Sequence, residues 1–186
     1  MASLGYTVSG IALTQRVVEL PRWLSSVGAT PDSFYHEDFC AWVHARQYDA
    51  VVSFGFIEHF MNWQEVFEKH CGLVAPGGIL LVTFPNFRGL LQYGLHKWLE
   101  DGVNLGRHHL PAMDVAGYEK ICSKREWKIL YAGYWGGFDF WTHGHSQLTW
   151  AQRKTAGLLT RFKKISSYIP SSRLYSPYAG IVACRP

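Results

Sequence analysis

The segment Gln47–Phe87, QYDAVVSFGFIEHFMNWQEVFEKHCGLVAPGGILLVTFPNF, constrains the fold more than any other part of the chain. It holds two apolar runs, Ala50 to Ser53 and Ile79 to Phe84, on either side of a helical pattern. A run that stays apolar instead of alternating predicts a strand covered on both faces, as in a parallel sheet. Between the runs, Val66, Phe67, His70 and Cys71 recur at helical spacing, and Asn62 is placed to cap that helix. Pro76-Gly77-Gly78 turns the chain into the second strand, which Pro85-Asn86 ends.

Similar alternation runs through most of the chain. Gly5 to Ile11 reads as a strand; Thr14 then caps a helix through Arg16, Val17, Val18 and Leu20 that ends near Pro21. Ser33 to His36 predicts a short strand. Leu90, Leu91, Leu95 and Leu99 suggest a helix, which Gly102, Gly106 and Pro111 interrupt. Asp114 caps a helix through Tyr118, Ile121 and Cys122, and Trp127 to Tyr134 is a strand. A basic helix at about 148–166 carries Leu148, Ala151, Thr155, Leu158, Leu159, Phe162 and Ile165 as one apolar stripe, expected to pack on the domain. Tyr178 to Ala183 closes the chain as a strand, expected to be antiparallel. Strands and helices alternating in this way predict one α/β domain over residues 1–186, with a mostly parallel sheet wrapped by helices on both faces.

Composition excludes several classes. Charged residues are 17% and hydrophobic ones 48%, which argues against disorder. The four cysteines are scattered with no C-x-x-C pair, so neither a zinc knuckle nor a redox motif is expected. No secretory leader pattern and no apolar run of roughly 20 residues is present, so the expectation is a cytoplasmic protein without a transmembrane segment. Net charge is +4 and uneven: after Asp139 there is no carboxylate, while Arg153, Lys154, Arg161, Lys163, Lys164, Arg173 and Arg185 follow. Such a tail can contact RNA or an anionic surface, which leaves a noncatalytic binding module as the alternative reading. Against it, no RNA-binding signature is present.

The "EH" pair Glu58-His59 after one apolar strand and the Pro76-Gly77-Gly78 turn before the next are motifs of a known family. With the strand at Leu4–Ile11, they resemble the later part of a class I, Rossmann-like S-adenosylmethionine-dependent methyltransferase, and the resemblance runs from Leu4 to about Ala183. It implies methyl transfer from S-adenosylmethionine to a small-molecule acceptor. It also implies a first strand and a glycine-rich loop, and nothing before Leu4 matches them. The expectation is therefore a chain lacking that strand: a fragment, a rearranged sheet whose flanking strands pair directly, or a degenerate binding module. A sheet edge left bare there would favour homodimers.

Site residues follow from the same resemblance. The family's ribose-binding acidic residue corresponds to Ala12, which cannot accept a hydrogen bond through its side chain. Asp38 matches the acidic residue that meets the adenine amino group, with Phe39 beside the ring; the residues alone allow Asp38 to be a helix N-cap instead. Ser53, Gly55 and Phe56 match the loop along the cofactor's methionine portion, where a glycine permits close backbone approach. Glu58 and His59 would orient the acceptor, or His59 would act as general base. Glu58 can equally serve only the positive end of a helix. Asn86 and His108 would face the acceptor, and His59, Asn86 and His108 could converge. No H-x-x-x-H or carboxylate spacing accompanies these histidines, so no metal is expected.

Overall fold

A computed structural model describes residues 5–99, 102–140, 148–166 and 168–186. The chain divides into two compact units, Met1–Ala45 and Arg46–Pro186.

In the first unit, β1 (Thr7–Ile11) lies parallel to β2 (Thr30–Tyr35), with Thr7 opposite Thr30 and Ile11 opposite Tyr35. Between them come a 3-10 turn, Gln15–Val18, and α1 (Leu20–Ser26). The expected boundary at Pro21 is reversed: this proline opens α1 instead of ending a helix. Its fixed φ and missing N–H suit a first turn, where that donor would have no partner. Thr14 makes no side-chain cap; its carbonyl accepts the Val17 N–H at 3.0 Å instead. Leu4, expected to begin the first strand, lies outside the described residues. Phe39 and Trp42 are buried, and Trp42 meets the Tyr35 ring at 5.1 Å and stacks on His44 at 4.5 Å.

The second unit holds a four-stranded sheet in the order β3 (Tyr48–Phe54), β4 (Val74–Pro85), β6 (Tyr178–Cys184), β5 (Lys128–Trp135). β3 and β4 are parallel, joined through α2 (Trp63–Gly72); β6 is antiparallel to both β4 and β5. The α/β class, the parallel crossover and the antiparallel closing strand all stand as expected. β4 starts earlier than its apolar run, at Val74. Tyr48 pairs with Val74 and Ala50 with Ile79, so Pro76-Gly77-Gly78 forms a bulge inside the strand, with Gly77 at φ +75°.

Leu80, Val82 and Phe84 on one face of β4 are buried, as are Val66, Phe67 and Cys71 of α2 and Tyr118 and Cys122 of α5 (Val115–Lys124). Each large apolar side chain so buried contributes about 1.5–3 kcal/mol. The Tyr118 ring lies 4.7–5.0 Å from those of Trp63, Phe67 and Phe84, and its hydroxyl donates to the Ala112 carbonyl at 2.6 Å. Coverage of β3 on both faces is not observed: Val51 and Ser53 are buried, but Val52 is 40% and Phe54 66% exposed. Ile79 on the adjoining β4 is likewise 40% exposed, so this face of the strand pair is only partly covered. Among the described residues β1 pairs only with β2, and β3 only with β4.

The mixed region resolves into α3 (Leu90–Trp98), α4 (Gly102–Arg107) and a 3-10 turn, Leu110–Met113. The basic helix is α6 (Trp150–Ser166). Thr149 and Gln152 cap it reciprocally: the Thr149 N–H donates to Gln152 Oε1 at 2.8 Å, and the Gln152 N–H to Thr149 Oγ1 at 3.3 Å. Gln152 also donates to the Trp98 carbonyl at 2.8 Å, tying α6 to the end of α3. The expected apolar stripe is exposed at Ala151 and Leu158, while the side chains of Phe162 and Ile165 lie outside the described residues. Among the described residues no helix is long and apolar enough to cross a membrane.

Candidate active site

At the carboxyl end of β3 the chain turns sharply. Gly55 sits at φ +59°, a left-handed conformation that glycine adopts without strain, and its N–H donates to the Thr83 carbonyl at 2.9 Å. That bond continues the β3–β4 ladder one step past the strand. A Cβ at Gly55 would stand 3.4 Å from Glu58 Oε1, an ordinary contact, so it is the left-handed backbone and not space that calls for glycine. Phe56 then leads into a single 3-10 turn, Ile57–His59, whose first two residues are buried.

Glu58 is 1% exposed, and its Oε2 makes no hydrogen bond. Burial pushes its carboxyl up to about 7, while its own backbone N–H and the neighbouring His59 pull it back down. This carboxylate is not a helix-end decoration on the surface. The next residue, His59, is exposed. Its Nδ1 lies 2.9 Å from the Arg107 carbonyl oxygen, which can only accept. Nδ1 therefore carries the hydrogen, and neutral His59 keeps its lone pair on Nε2.

The structure brings His108 to this place. The His109 N–H donates to the Glu58 carbonyl at 2.7 Å, pinning the segment after α4 across the β3 turn. The rings of His59 and His108 stand 4.6 Å apart, and Phe87 holds His108 edge-on at 4.9 Å. One ligating atom from each of Glu58, His59 and His108 lies within 4.8 Å of the others. Two of the three residues expected to converge do so, and Glu58 joins them.

Asn86 is also fully buried, but its amide is spent on structure. Nδ2 donates to the carbonyls of Arg173 at 3.0 Å and Ser176 at 2.9 Å, which leaves Oδ1 without a partner. Ser53 is buried in β3 opposite Val82. Phe56 packs against Phe60 and His70, at 4.8 and 6.0 Å. In the first unit, Asp38 accepts the Cys40 N–H at 2.9 Å and its carbonyl accepts those of Ala41 and Trp42, while Phe39 packs 6.5 Å from Trp42. Ala12 makes only a backbone bond, to Tyr35.

Sequence reading did not single out the buried polar residues behind this end of the sheet. His96 lies between Phe87 and Phe140, at 4.4 and 4.6 Å, and Gln92 donates to the carbonyls of Asp139 and Tyr175, each at 2.7 Å. Their neighbours are far away in sequence, and no local pattern marks them. An open cleft of about 530 Å³ lies at the other end of β3, lined by Gln47, Cys71, Arg125, Trp127 and Arg185. Ligands of doubly wound sheets sit outside the carboxyl ends of the strands, so the Glu58 end is the better candidate.

Parallel β–α–β crossovers in each unit, with an antiparallel closing strand in the second, are the pattern of a Rossmann-like α/β fold. The family model described as "Methyltransferase domain" matches residues 8–132, and the chain belongs to that class I S-adenosylmethionine-dependent family. Solved structures agree on the fold. The MccD protein is 12% identical with a TM-score of 0.60, over 98% of this chain and 81% of that one. A putative methyltransferase from Bacillus halodurans is 13% identical with a TM-score of 0.55, over 97% and 84%. The magnesium protoporphyrin IX methyltransferase from Synechocystis PCC 6803, with bound S-adenosylhomocysteine, is 15% identical with a TM-score of 0.56, over 100% and 67%. No curated protein matches the sequence.

Proposed function

We propose that this chain transfers a methyl group from S-adenosylmethionine to a small-molecule acceptor at the carboxyl end of β3. The carrying observation is the Glu58–His59–His108 cluster beside the side-chain-free backbone of Gly55. The fit to the cofactor rests on that glycine: with no Cβ, the Ser53–Phe56 backbone can be approached closely, as a bound methionine portion requires. Ser53, Gly55 and Phe56 would line that portion. When bound, the cofactor would supply an electrophilic methyl on a sulfonium, with a neutral thioether as the leaving group of an in-line displacement.

The chain's own residues orient the acceptor and manage its proton. Glu58 presents a buried oxygen, and His59 presents Nε2 with its tautomer set by Arg107. His59 Nε2 can take the proton that the acceptor sheds, while His108 restricts the orientation of the His59 ring. Most of the acceleration in such a site comes from holding the reacting atoms in line.

Incubating the chain with trideuteromethyl-labelled cofactor and cellular small-molecule extracts tests this reading. Mass spectrometry should find labelled acceptors, with labelling reduced about 10²–10⁴-fold in His59→Ala, the usual range for a general base. Labelling that is equal in both proteins would remove His59 from the chemistry.

A further inference from the structure

We infer that Glu58, His59 and His108 form a binding site for a divalent transition-metal ion of the zinc class. Two imidazoles and one carboxylate make a donor set suited to zinc and its neighbours; magnesium and calcium prefer oxygen throughout. The three ligating atoms lie within 4.8 Å of one another. Around an ion at the usual ~2.0–2.2 Å ligand distances they would stand about 3–4 Å apart, so a small side-chain adjustment closes the site.

Two independent observations point to a ligand. The first is Glu58 Oε2, in a residue that is 1% exposed, with no hydrogen-bond partner. A buried carboxylate oxygen left without a partner is costly, and a cation in the cluster supplies what is missing. The second is the His59–Arg107 bond. Metal-bound histidines commonly donate their other ring N–H to a backbone carbonyl, which fixes the ring and leaves the opposite nitrogen bare. His59 Nδ1 does this at 2.9 Å, leaving Nε2 for the ion.

Spacing showed no metal-ligand pattern here, because Glu58 and His59 are adjacent and His108 comes from beyond α3 and α4. With three protein ligands, the ion keeps at least one position open. That position would take an oxygen of the acceptor, such as a hydroxyl, phenol or carboxylate. This last assignment rests on the methyl-transfer reading, and there His59 becomes a ligand in place of a base; the metal site itself does not depend on that reading.

The test uses the full, tag-free chain and metal alone, with no cofactor added. Titration with cobalt chloride should give one saturable equivalent, with visible d–d bands of a low-coordinate nitrogen–oxygen site and no thiolate charge-transfer band; zinc chloride should displace it. His108→Ala should weaken binding at least about 100-fold, since even outer-shell partners are worth about 10–100-fold, and His109→Ala should leave it intact. Glu58→Gln, which keeps the side chain's size, should weaken it as well, and thermal melts establish that each variant is folded. No saturable binding by a cooperatively melting chain would overturn the inference. So would a cobalt spectrum dominated by thiolate ligation, or affinity unchanged in both His108→Ala and Glu58→Gln.

Discussion

Tyr118 and Glu58 are both polar side chains almost wholly removed from water, yet they sit in opposite circumstances. The Tyr118 hydroxyl has a 2.6 Å bond to the Ala112 carbonyl, and three aromatic rings surround its own. Glu58, in the 3-10 turn that follows β3, keeps a buried oxygen without a hydrogen-bond partner. A satisfied buried polar group stabilises and specifies a core, while an unsatisfied one needs another explanation. The contrast separates the layer that holds this unit together from the place proposed for its chemistry. Asn86 falls between the two, with its amide hydrogens satisfied and its Oδ1 not.

The contrast predicts different costs for substitution. Tyr118→Ala should be the most damaging, losing about 3–5 kcal/mol in urea unfolding, as for other large aromatic truncations in a core. Acid should act next, through His70, which is 5% exposed and bonded to the Val66 carbonyl at 2.7 Å. Burial lowers its pKa from 6.5 to about 4, against the raising effect of that bond. Above pH 6.5 both folded and unfolded states hold it neutral and stability is full. As the pH falls towards 4 only the unfolded state gains the proton, so about 3 kcal/mol should be lost across that window. His70→Leu should flatten this part of a stability–pH curve.

Asn86→Ala should cost about 1–3 kcal/mol, because the Arg173 and Ser176 carbonyls lose their donor. Glu58→Gln should be the mildest, within about 1 kcal/mol of the parent, since it removes a desolvated charge and no hydrogen bond from Oε2. The comparison fails if Glu58→Gln unfolds the chain as readily as Tyr118→Ala does.

The elements themselves were largely legible in the sequence. Apolar runs marked β3 and β4, helical spacing marked α2, and the glycine at position 55 announced the turn whose φ requires it. Details governed by long-range partners were not. Asp114 precedes α5 as expected but makes no side-chain cap; its carboxylate pairs with Arg88 at 2.8 Å. Asn62 likewise leaves α2 uncapped and donates to Glu65. Both are short polar side chains for which a nearby charged group outcompeted the backbone. The role of Asn86 was hidden because its partners lie about 90 residues away. The site's chemistry was half legible: the EH pair was evident, but the bond from His109 to Glu58 that delivers His108 has no sequence pattern.

Calorimetric titration with S-adenosylhomocysteine, run on a chain that melts cooperatively, decides whether this chain holds the cofactor. One site with micromolar affinity is expected, weakened in Gly55→Val, where a Cβ would be forced into a left-handed backbone and into the approach to the strand end. A well-folded chain that takes up no S-adenosylhomocysteine would contradict the proposed methyl transfer.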